Sequence, residues 1–403
     1  MLGIKGSSFQ IKSKDLFLLA YCLYITTLLI ESTTITAVLP EFVTTVFKLI
    51  RYSAYVLCVI KAFITARYKY IQIIYAFILI MISMITLFTS DRTLAMMTFI
   101  FLGAIDVPKN KLLKCSLKIQ VTVLTVTVMS SLLGIIDNYL FDKFRGRWGL
   151  GFIWTTFAPI MLMFIIFECI YLYQKRMRII HYFLLSMVAT FFFMMTKTRF
   201  TYAVTIAFLL ISGAEHYKKK PFNIIKKLGK WNILWPFFFA AFAITLQISY
   251  NSESAIWQKV DMLLSRRLYY GLNAVNKYKI TAFGQKIEWI GRSYKTEMQG
   301  LVTSNDLIDN AYFRNLFLYG IAGLIGILSL YAVAIWKAVK NGDYLFVFII
   351  ITILGFCVFE FWMYNLQMNP FMLIAVMRFS QEQRSIYALQ CYGNKTKMMF
   401  EQT

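Results

Sequence analysis

The chain has 403 residues, of which 59% are hydrophobic and only 15% are charged, whereas soluble domains contain about 45–50% apolar and about 25% charged residues. This composition argues against a soluble enzyme, a disordered chain and a β-barrel, and it indicates a membrane protein with several spanning helices. The net charge of +23 comes from 42 Lys and Arg against 19 Asp and Glu, an excess that in such proteins records orientation and does not imply nucleic-acid binding.

Twelve apolar runs follow one another along the chain, separated by charged or turn-rich stretches. They lie near 16–38, 45–66, 70–88, 93–106, 117–136, 150–173, 179–196, 200–214, 232–248, 311–336, 344–363 and 366–378. The fourth, eighth and twelfth are short, so ten or eleven spans with a re-entrant segment is the alternative. The predicted fold is all-α and polytopic, with about 12 transmembrane helices and both termini on the same side.

The basic residues predict which side that is. If the N-terminus is cytoplasmic, 24 Lys and Arg residues fall in cytoplasmic segments, and the short loops on the other side carry far fewer. The positive-inside rule therefore predicts a multi-pass protein of the cell membrane with cytoplasmic N- and C-termini.

One connection is much longer than the others. Residues 249–310 form a predicted extracytoplasmic segment of 62 residues, which is too long for a simple connector. The chain thus divides into residues 1–248, with nine spans and short loops, the large loop over 249–310, and residues 311–403, with three spans and a basic cytoplasmic tail.

An arginine in the large loop is a candidate anion ligand. Residues 256–275 have the periodicity of one amphipathic helix, on which Arg267 falls about 20° and Arg266 about 280° from Ile256. An arginine that faces an apolar interior costs roughly 2.5–3.5 kcal/mol in a membrane span unless it meets an anion. Arg267 is therefore either a substrate ligand or half of a structural salt bridge, for example to Asp309.

Two further arginines are predicted on the same side. Arg199 opens the eighth span and Arg147 precedes the sixth. Guanidinium groups bind phosphoryl oxygens in a two-pronged geometry and keep their charge, so Arg147, Arg199 and Arg267 together suit a pyrophosphate without a metal or a cofactor. The alternative for each residue singly is that it anchors a helix end at the lipid headgroups.

Two carboxylates of the loop are candidate catalytic bases. Glu288 and Asp309 lie on the predicted outer side, where either would remove a proton from an attacking sugar hydroxyl. The alternative is that each is a solvated or helix-capping acid, since Asp309 with Asn310 precedes the tenth span. No nucleotide-binding, metalloprotease or nucleophile-elbow motif is recognisable.

Several strings resemble one enzyme family. They are LLSRRLYYGLNAVNKY (263–278), TAFGQKIEWIG (281–291), DNAYFRNLFLYGIAGL (309–324), RWGLGF (147–152) and TKTRF (196–200). With the twelve spans and the large loop, they resemble the Gram-positive type of Wzy polymerase, in the O-antigen ligase and polymerase superfamily. Arg267 matches the family arginine of the first string, and Arg266 stands where the family has glycine.

The resemblance implies a membrane glycosyltransferase that joins undecaprenyl-pyrophosphate-linked oligosaccharide repeat units into capsular polysaccharide or exopolysaccharide on the outer face. It implies membrane lipid, a flippase and a chain-length regulator as partners, no nucleic acid, and no cofactor. Arg147, Arg199 and Arg267 would bind the pyrophosphate, while Asn310 and Tyr312 would shape the junction between the loop and the tenth span.

The chain departs from the family in two places that bear on the alternatives. Trp154, Thr155 and Thr156 stand where relatives commonly have a His-Pro-Asn stretch, so no role of that histidine carries over. The related ligases use a histidine of the large loop, and residues 249–310 contain none. A ligase with the same donor and a non-catalytic transporter of lipid-linked sugar remain the alternatives, although a transporter is expected to carry inverted repeats.

Overall fold

The computed structural model describes residues 13–64, 70–89, 91–142, 144–218, 221–287, 289, 293–298 and 308–377. These residues form fifteen α-helices and one two-stranded antiparallel hairpin, which lies between α5 and α6. The helices are α1 Ser13–Glu31, α2 Glu41–Ile64, α3 Tyr70–Ile85, α4 Thr93–Ala104, α5 Lys109–Leu132, α6 Phe157–Tyr173, α7 Ile179–Thr196, α8 Arg199–His216, α9 Asn223–Leu228, α10 Trp235–Ile248, α11 Ala255–Leu263, α12 Arg267–Lys277, α13 Tyr294–Met298, α14 Ala311–Lys340 and α15 Tyr344–Phe356. The strands of the hairpin are β1 Leu140–Asp142 and β2 Arg147–Trp148.

The helical composition agrees with the predicted all-α class, and several helices could cross a membrane. Six segments of the described residues are long and apolar enough for this, with bounds Glu41–Ala62, Lys109–Leu132, Phe157–Arg176, Ile179–Thr196, Asn223–Ile248 and Ala311–Lys340. Three shorter apolar helices lie at Ala76–Phe88, Thr93–Ala104 and Tyr344–Phe356. The chain is therefore compatible with a multi-pass membrane protein.

The connections between the helices meet in two groups. In one group, Thr34 after α1 donates a hydrogen bond to the Asp137 carbonyl oxygen (2.9 Å), and the Phe88 ring after α3 contacts the Phe283 ring in the large loop. The other group includes a buried ion pair between Lys109, which begins α5, and Asp343, which precedes α15 (2.6 Å). The large loop thus packs with the connection that follows α3, and the connection after α1 binds the one after α5.

The twelfth apolar run is not an α-helix in the described residues. After α15 the chain continues irregularly to Asn369, and Pro370–Ala375 forms a 3₁₀ helix. Buried side chains bind the free carbonyl oxygens of this stretch, so its backbone remains hydrogen-bonded without a helix. The bonds run from Tyr21 to Leu366, from Gln120 to Gln367 and Met368, and from Tyr331 to Met363. Non-helical backbone is tolerated at membrane depth where protein encloses it in this way.

The tenth predicted span is interrupted at Gly320. Its φ of 70° and ψ of −174° lie outside the helical region, so α14 consists of two helical segments that meet there. The loop segment at 281–284 enters the break, and the Thr281 and Ala282 carbonyl oxygens accept hydrogen bonds from the Ile321 and Ala322 amides (both 3.1 Å). The loop thereby replaces the helical hydrogen bonds that the break removes.

We expect Gly320→Ala to destabilise the protein strongly. A Cβ at this position would lie 2.4 Å from the Gly284 backbone nitrogen, and the conformation is one that only glycine adopts readily. Strain and overpacking together predict a loss of roughly 2–6 kcal/mol, measurable as a lower thermal midpoint of the purified protein.

The matched control is Gly355→Ala. Gly355 lies in α15, and an added Cβ would come no closer than 3.5 Å to the Phe239 ring. Alanine favours helix over glycine, so this variant should keep or raise the thermal midpoint. Equal midpoints for Gly320→Ala and the wild type would contradict the described contact between the loop and α14.

Candidate functional site

The predicted single helix over 256–275 is two helices. α11 ends at Leu263, α12 begins at Arg267, and both Ser265 and Arg266 between them have a left-handed backbone with φ of 60° and 62°. The prediction of one continuous apolar face was therefore wrong. Leu263, which it placed on the buried face, is 77% exposed, whereas the carboxylate residue Asp261 is buried.

The Asp261 side chain stabilises the turn between α11 and α12. Its Oδ1 accepts hydrogen bonds from the Leu268 amide (2.8 Å) and the Tyr269 amide (3.3 Å) at the start of α12. Amide groups at the start of a helix lack partners inside the helix, and a carboxylate is a strong acceptor for them. The hydrophobic periodicity did not indicate this break, because the turn is stabilised by a side chain of the preceding helix and not by a local turn motif.

Arg267 bridges two carboxylates. Its Nε lies 3.2 Å from Asp309 Oδ2, and its Nη2 donates to Glu360 Oε1. The salt bridge to Asp309 is the one considered from the sequence, while Glu360 lies beyond the end of α15. One guanidinium therefore ties the start of α12 to the residue before α14 and to the irregular segment after α15.

Arg147 lies near this cluster and is held by neutral oxygens. Its Nε donates to the Thr196 carbonyl oxygen (3.2 Å) at the end of α7, and its Nη2 donates to Thr155 Oγ1 (2.7 Å). Burial lowers the Arg147 pKa from its usual value, and the positive charge of Arg145 adds to this effect. Arg147 is thus pre-oriented on its hairpin strand without a salt bridge among the described residues.

One large cavity brings the predicted arginines together. Its volume is about 1350 Å³, and its lining includes Arg267 with both carboxylate partners. The cationic residues that line it are Arg145, Arg147, Lys197, Arg199, Arg266 and Arg267. Arg199 is exposed at the first position of α8, immediately after a tight turn at Lys197 and Thr198.

The cavity carries a local excess of positive charge. Its acidic residues are all partnered: Asp142 with Arg145, Glu297 with Tyr139, and Asp309 and Glu360 with Arg267. In contrast, none of the salt bridges in the described residues includes Arg147, Lys197, Arg199 or Arg266. Four cationic groups thus line the cavity without a salt bridge to a carboxylate in the described residues. Such an arrangement suits a multiply charged anion.

Glu360 is a candidate catalytic residue that the sequence analysis missed. It is 3% exposed and lines the cavity. Burial raises the pKa of its carboxyl group to about 7, against the opposing effect of the Arg267 charge. For Arg267, burial alone would lower the pKa, but the Glu360 and Asp309 carboxylates raise it. Glu360, whose pKa burial raises, is therefore the member of the pair that can take a proton, as suits a general base.

The sequence contained only a weak sign of this residue. Glu360 falls within the apolar run at 344–363, where an acidic residue is unusual and is a candidate for function by default. Helix α15 ends at Phe356, so the carboxylate lies outside the helical segment.

The other predicted residues of the loop junction are placed as follows. Asn310 caps α14, because its Oδ1 accepts from the Tyr312 amide (3.0 Å) and the Phe313 amide (3.1 Å). Tyr312 is fully buried and donates to the Leu354 carbonyl oxygen (2.8 Å). Asp309 contacts Arg267, whereas Glu288 lies outside the described residues.

Arg314 contacts the segment that carries Glu360. It was not among the residues predicted from the sequence. Its guanidinium carbon lies 4.9 Å from the centre of the Phe361 ring and 5.2 Å from that of the Trp289 ring. Cations over aromatic faces contribute about 0.5–2 kcal/mol. Arg314 therefore joins α14 to the large loop and to the neighbour of Glu360.

We expect Arg266→Gly to fold at least as well as the wild type. Arg266 has a φ of 62° and an exposed side chain, and glycine adopts this conformation without the roughly 1–2 kcal/mol that other residues incur. Arg266→Val, a β-branched residue in the same conformation, should lower the thermal midpoint. The description of this turn would be contradicted if valine were tolerated and glycine were not.

The comparisons with known proteins add no relative. No protein-family model matches this chain, and no curated protein or solved structure is detectably similar to it.

Proposed function

We propose that this protein is a membrane glycosyltransferase that polymerises undecaprenyl-pyrophosphate-linked repeat units into capsular polysaccharide or exopolysaccharide. The observation that carries the proposal is the cavity, which brings four cationic groups that form no salt bridge in the described residues together with the buried carboxylate of Glu360. The cationic groups suit the pyrophosphate of a lipid-linked donor, and the carboxylate suits removal of a proton from an attacking hydroxyl.

Each group has a definite place in the proposed reaction. Arg147 and Arg199, with Lys197 between α7 and α8, bind the pyrophosphate, and Arg267 orients Glu360 and extends toward the same anion. The acceptor hydroxyl oxygen bonds to the anomeric carbon of the donor, and the bond from that carbon to the pyrophosphate oxygen breaks. Glu360 takes the hydroxyl proton, and undecaprenyl pyrophosphate leaves with the electron pair.

Asp309 has a supporting place in this proposal. Because its Oδ2 binds Arg267 Nε, Asp309 helps to fix the guanidinium between the two carboxylates. A diphosphate at Arg267 would compete with both carboxylates for the guanidinium, so donor binding would leave Glu360 less tightly paired and a stronger base.

The proposed orientation in the membrane follows from the charge distribution and the contacts. Of the loops that the positive-inside rule assigns to the outer side, those after α3 and α5 contact the large loop, and the one after α1 binds the one after α5. We propose that this end, with the cavity, faces the outside, that both termini are cytoplasmic, and that the non-helical run that begins at Leu366 serves as the last of twelve passages. A flippase and a chain-length regulator of the pathway are the proposed partners.

The two alternatives differ from the proposal in specific ways. A ligase would use the same donor, but the residues of the large loop include no histidine. A transporter of lipid-linked sugar would need the cavity but is expected to carry inverted repeats, and no internal repeat is recognisable in the sequence.

A deletion strain tests the proposal among these alternatives. Without the polymerase, undecaprenyl-linked single repeat units should accumulate on the outer face, while long polymer disappears. Loss of a transporter would leave single units on the inner face, and loss of a ligase would leave long chains on the lipid carrier. Lipid-linked long chains in the deletion strain would reject the proposal.

A further inference from the structure

A buried carboxylate outside the cavity has no cationic partner in the described residues. Glu168 lies in α6, is 0% exposed, and belongs to none of the salt bridges. Ionisable groups inside a membrane bundle are costly unless a partner compensates them. Glu168 does not line the large cavity, so the proposed reaction does not account for it.

The neighbours of Glu168 supply oxygen atoms. Ser116 Oγ donates to Glu168 Oε1 (3.2 Å), and Gln120 Nε2 lies 3.0 Å from the same Ser116 oxygen. Gln120 Nε2 also donates to the Gln367 and Met368 carbonyl oxygens (3.1 and 3.2 Å), and Tyr21 donates to the Leu366 carbonyl oxygen (3.2 Å). Helices α1, α5 and α6 and the non-helical stretch 366–368 therefore meet around one carboxylate.

Two oxygens of this cluster are buried and accept no hydrogen bond from the described residues. They are Glu168 Oε2 and Gln120 Oε1. Leaving such acceptors unsatisfied costs about 1–3 kcal/mol each, and more for a charged group. Both belong to side chains that are 0% exposed, so either a proton on Glu168 or a bound cation must compensate them within the cluster.

We propose that the cluster is a binding site for a monovalent alkali cation of the sodium type, held by Glu168 Oε2, Gln120 Oε1 and carbonyl oxygens of residues 366–368. Hard cations bind carboxylate, amide and carbonyl oxygens. Unwound backbone in membrane proteins coordinates sodium through its free carbonyl groups. The single carboxylate balances one positive charge, which favours a monovalent over a divalent ion.

The site would stabilise the non-helical stretch. Residues 366–368 hold their place through Tyr21 and Gln120, and a cation would add a link from the same carbonyl groups to α6. The irregular segment that begins after α15 also carries Glu360, so the cation would fix the chain that leads to the cavity. This inference does not depend on which reaction the cavity performs.

The test is the thermal stability of the purified full-length protein in NaCl and in choline chloride at equal ionic strength. Sodium should raise the unfolding midpoint in a saturable manner, by roughly 2–4 °C when its concentration far exceeds the dissociation constant. Glu168→Gln, which keeps the size and removes the charge, should abolish the difference between the two salts. Asp15→Asn, at an exposed carboxylate, is the control and should retain it.

Either of two outcomes for the wild type and Glu168→Gln would overturn the proposal. One is an equal midpoint of the wild type in both salts, and the other is a sodium effect that Glu168→Gln leaves intact. If Glu168→Gln does not fold, Gln120→Met, which removes Oε1 at similar volume, should weaken the sodium effect, and an unchanged effect in that variant would also overturn the proposal. Binding of radioactive sodium to the wild type, absent in the same variants, is the direct confirmation.

Discussion

Glu360→Gln should reduce polymer formation by roughly 100- to 10,000-fold, which is the usual contribution of a general base. Glutamine keeps the volume of the side chain and can still contact Arg267, but it cannot take a proton. The measurement is polymer yield per folded protein in membranes of a deletion strain that expresses the variant. Donor binding should persist because the cationic residues of the cavity are unchanged.

The pH dependence provides a second readout for Glu360. A base with a pKa of about 7 predicts that the wild-type rate falls as the pH drops below about 7 and levels off above it. The folded protein binds this proton more tightly than the unfolded chain, so this group contributes stability at low pH that is lost as the pH rises through 7. The predicted loss of rate at low pH is therefore not a consequence of unfolding at this residue.

The matched control is Glu215→Gln. Glu215 lies near the end of α8, pairs with Lys218 and does not line the cavity, so the variant should retain wild-type activity. Full activity of Glu360→Gln at normal protein level would restrict Glu360 to a structural salt bridge with Arg267.

Arg267→Lys should reduce polymer formation by about tenfold to a thousandfold. The guanidinium reaches Asp309 through Nε and Glu360 through Nη2, and a single ammonium group does not reproduce that two-pronged contact. Hydrogen bonds to charged groups are worth roughly 1.5–3 kcal/mol, and losing one or two gives the stated range. The measurement is polymer yield at matched protein level.

A stability measurement separates the two roles of Arg267. Removing one partner of a buried ion pair destabilises proteins by about 3–5 kcal/mol, whereas lysine keeps the charge and should cost less. Arg267→Lys is therefore expected to fold and to lose activity, while Arg267→Met should also lower the thermal midpoint. Wild-type activity per folded molecule in Arg267→Lys would leave only the structural role.

The sequence predicted the helices better than the loops. An apolar run of about 20 residues has few structural options in a membrane, so runs such as 179–196 coincide with their helix, Ile179–Thr196. Residues 366–377 of the twelfth run are not an α-helix, because their carbonyl groups bind side chains of α1, α5 and α14. Such long-range hydrogen bonds leave no periodic pattern in the sequence.

The sequence predicted the arginines of the candidate site but not its buried carboxylate. Arg147, Arg199 and Arg267 were found by their charge near predicted helix ends, and one cavity contains all three. Glu360 was missed because it lies 93 residues from Arg267 in sequence, and only tertiary packing brings them together. The sequence correctly predicted that Arg267 is less exposed than Arg266, but the continuous helix from which this was inferred does not exist.

Reconstitution of the purified protein tests the proposed polymerase activity most directly. The purified protein in liposomes, given an undecaprenyl-pyrophosphate-linked repeat unit as its only substrate, should form a ladder of longer oligosaccharides and release undecaprenyl pyrophosphate in equal amount to the bonds formed. Glu360→Gln protein, reconstituted at the same level, should form neither product above background. If the folded wild-type protein binds the lipid-linked unit and leaves it unextended, the protein is not the polymerase proposed here.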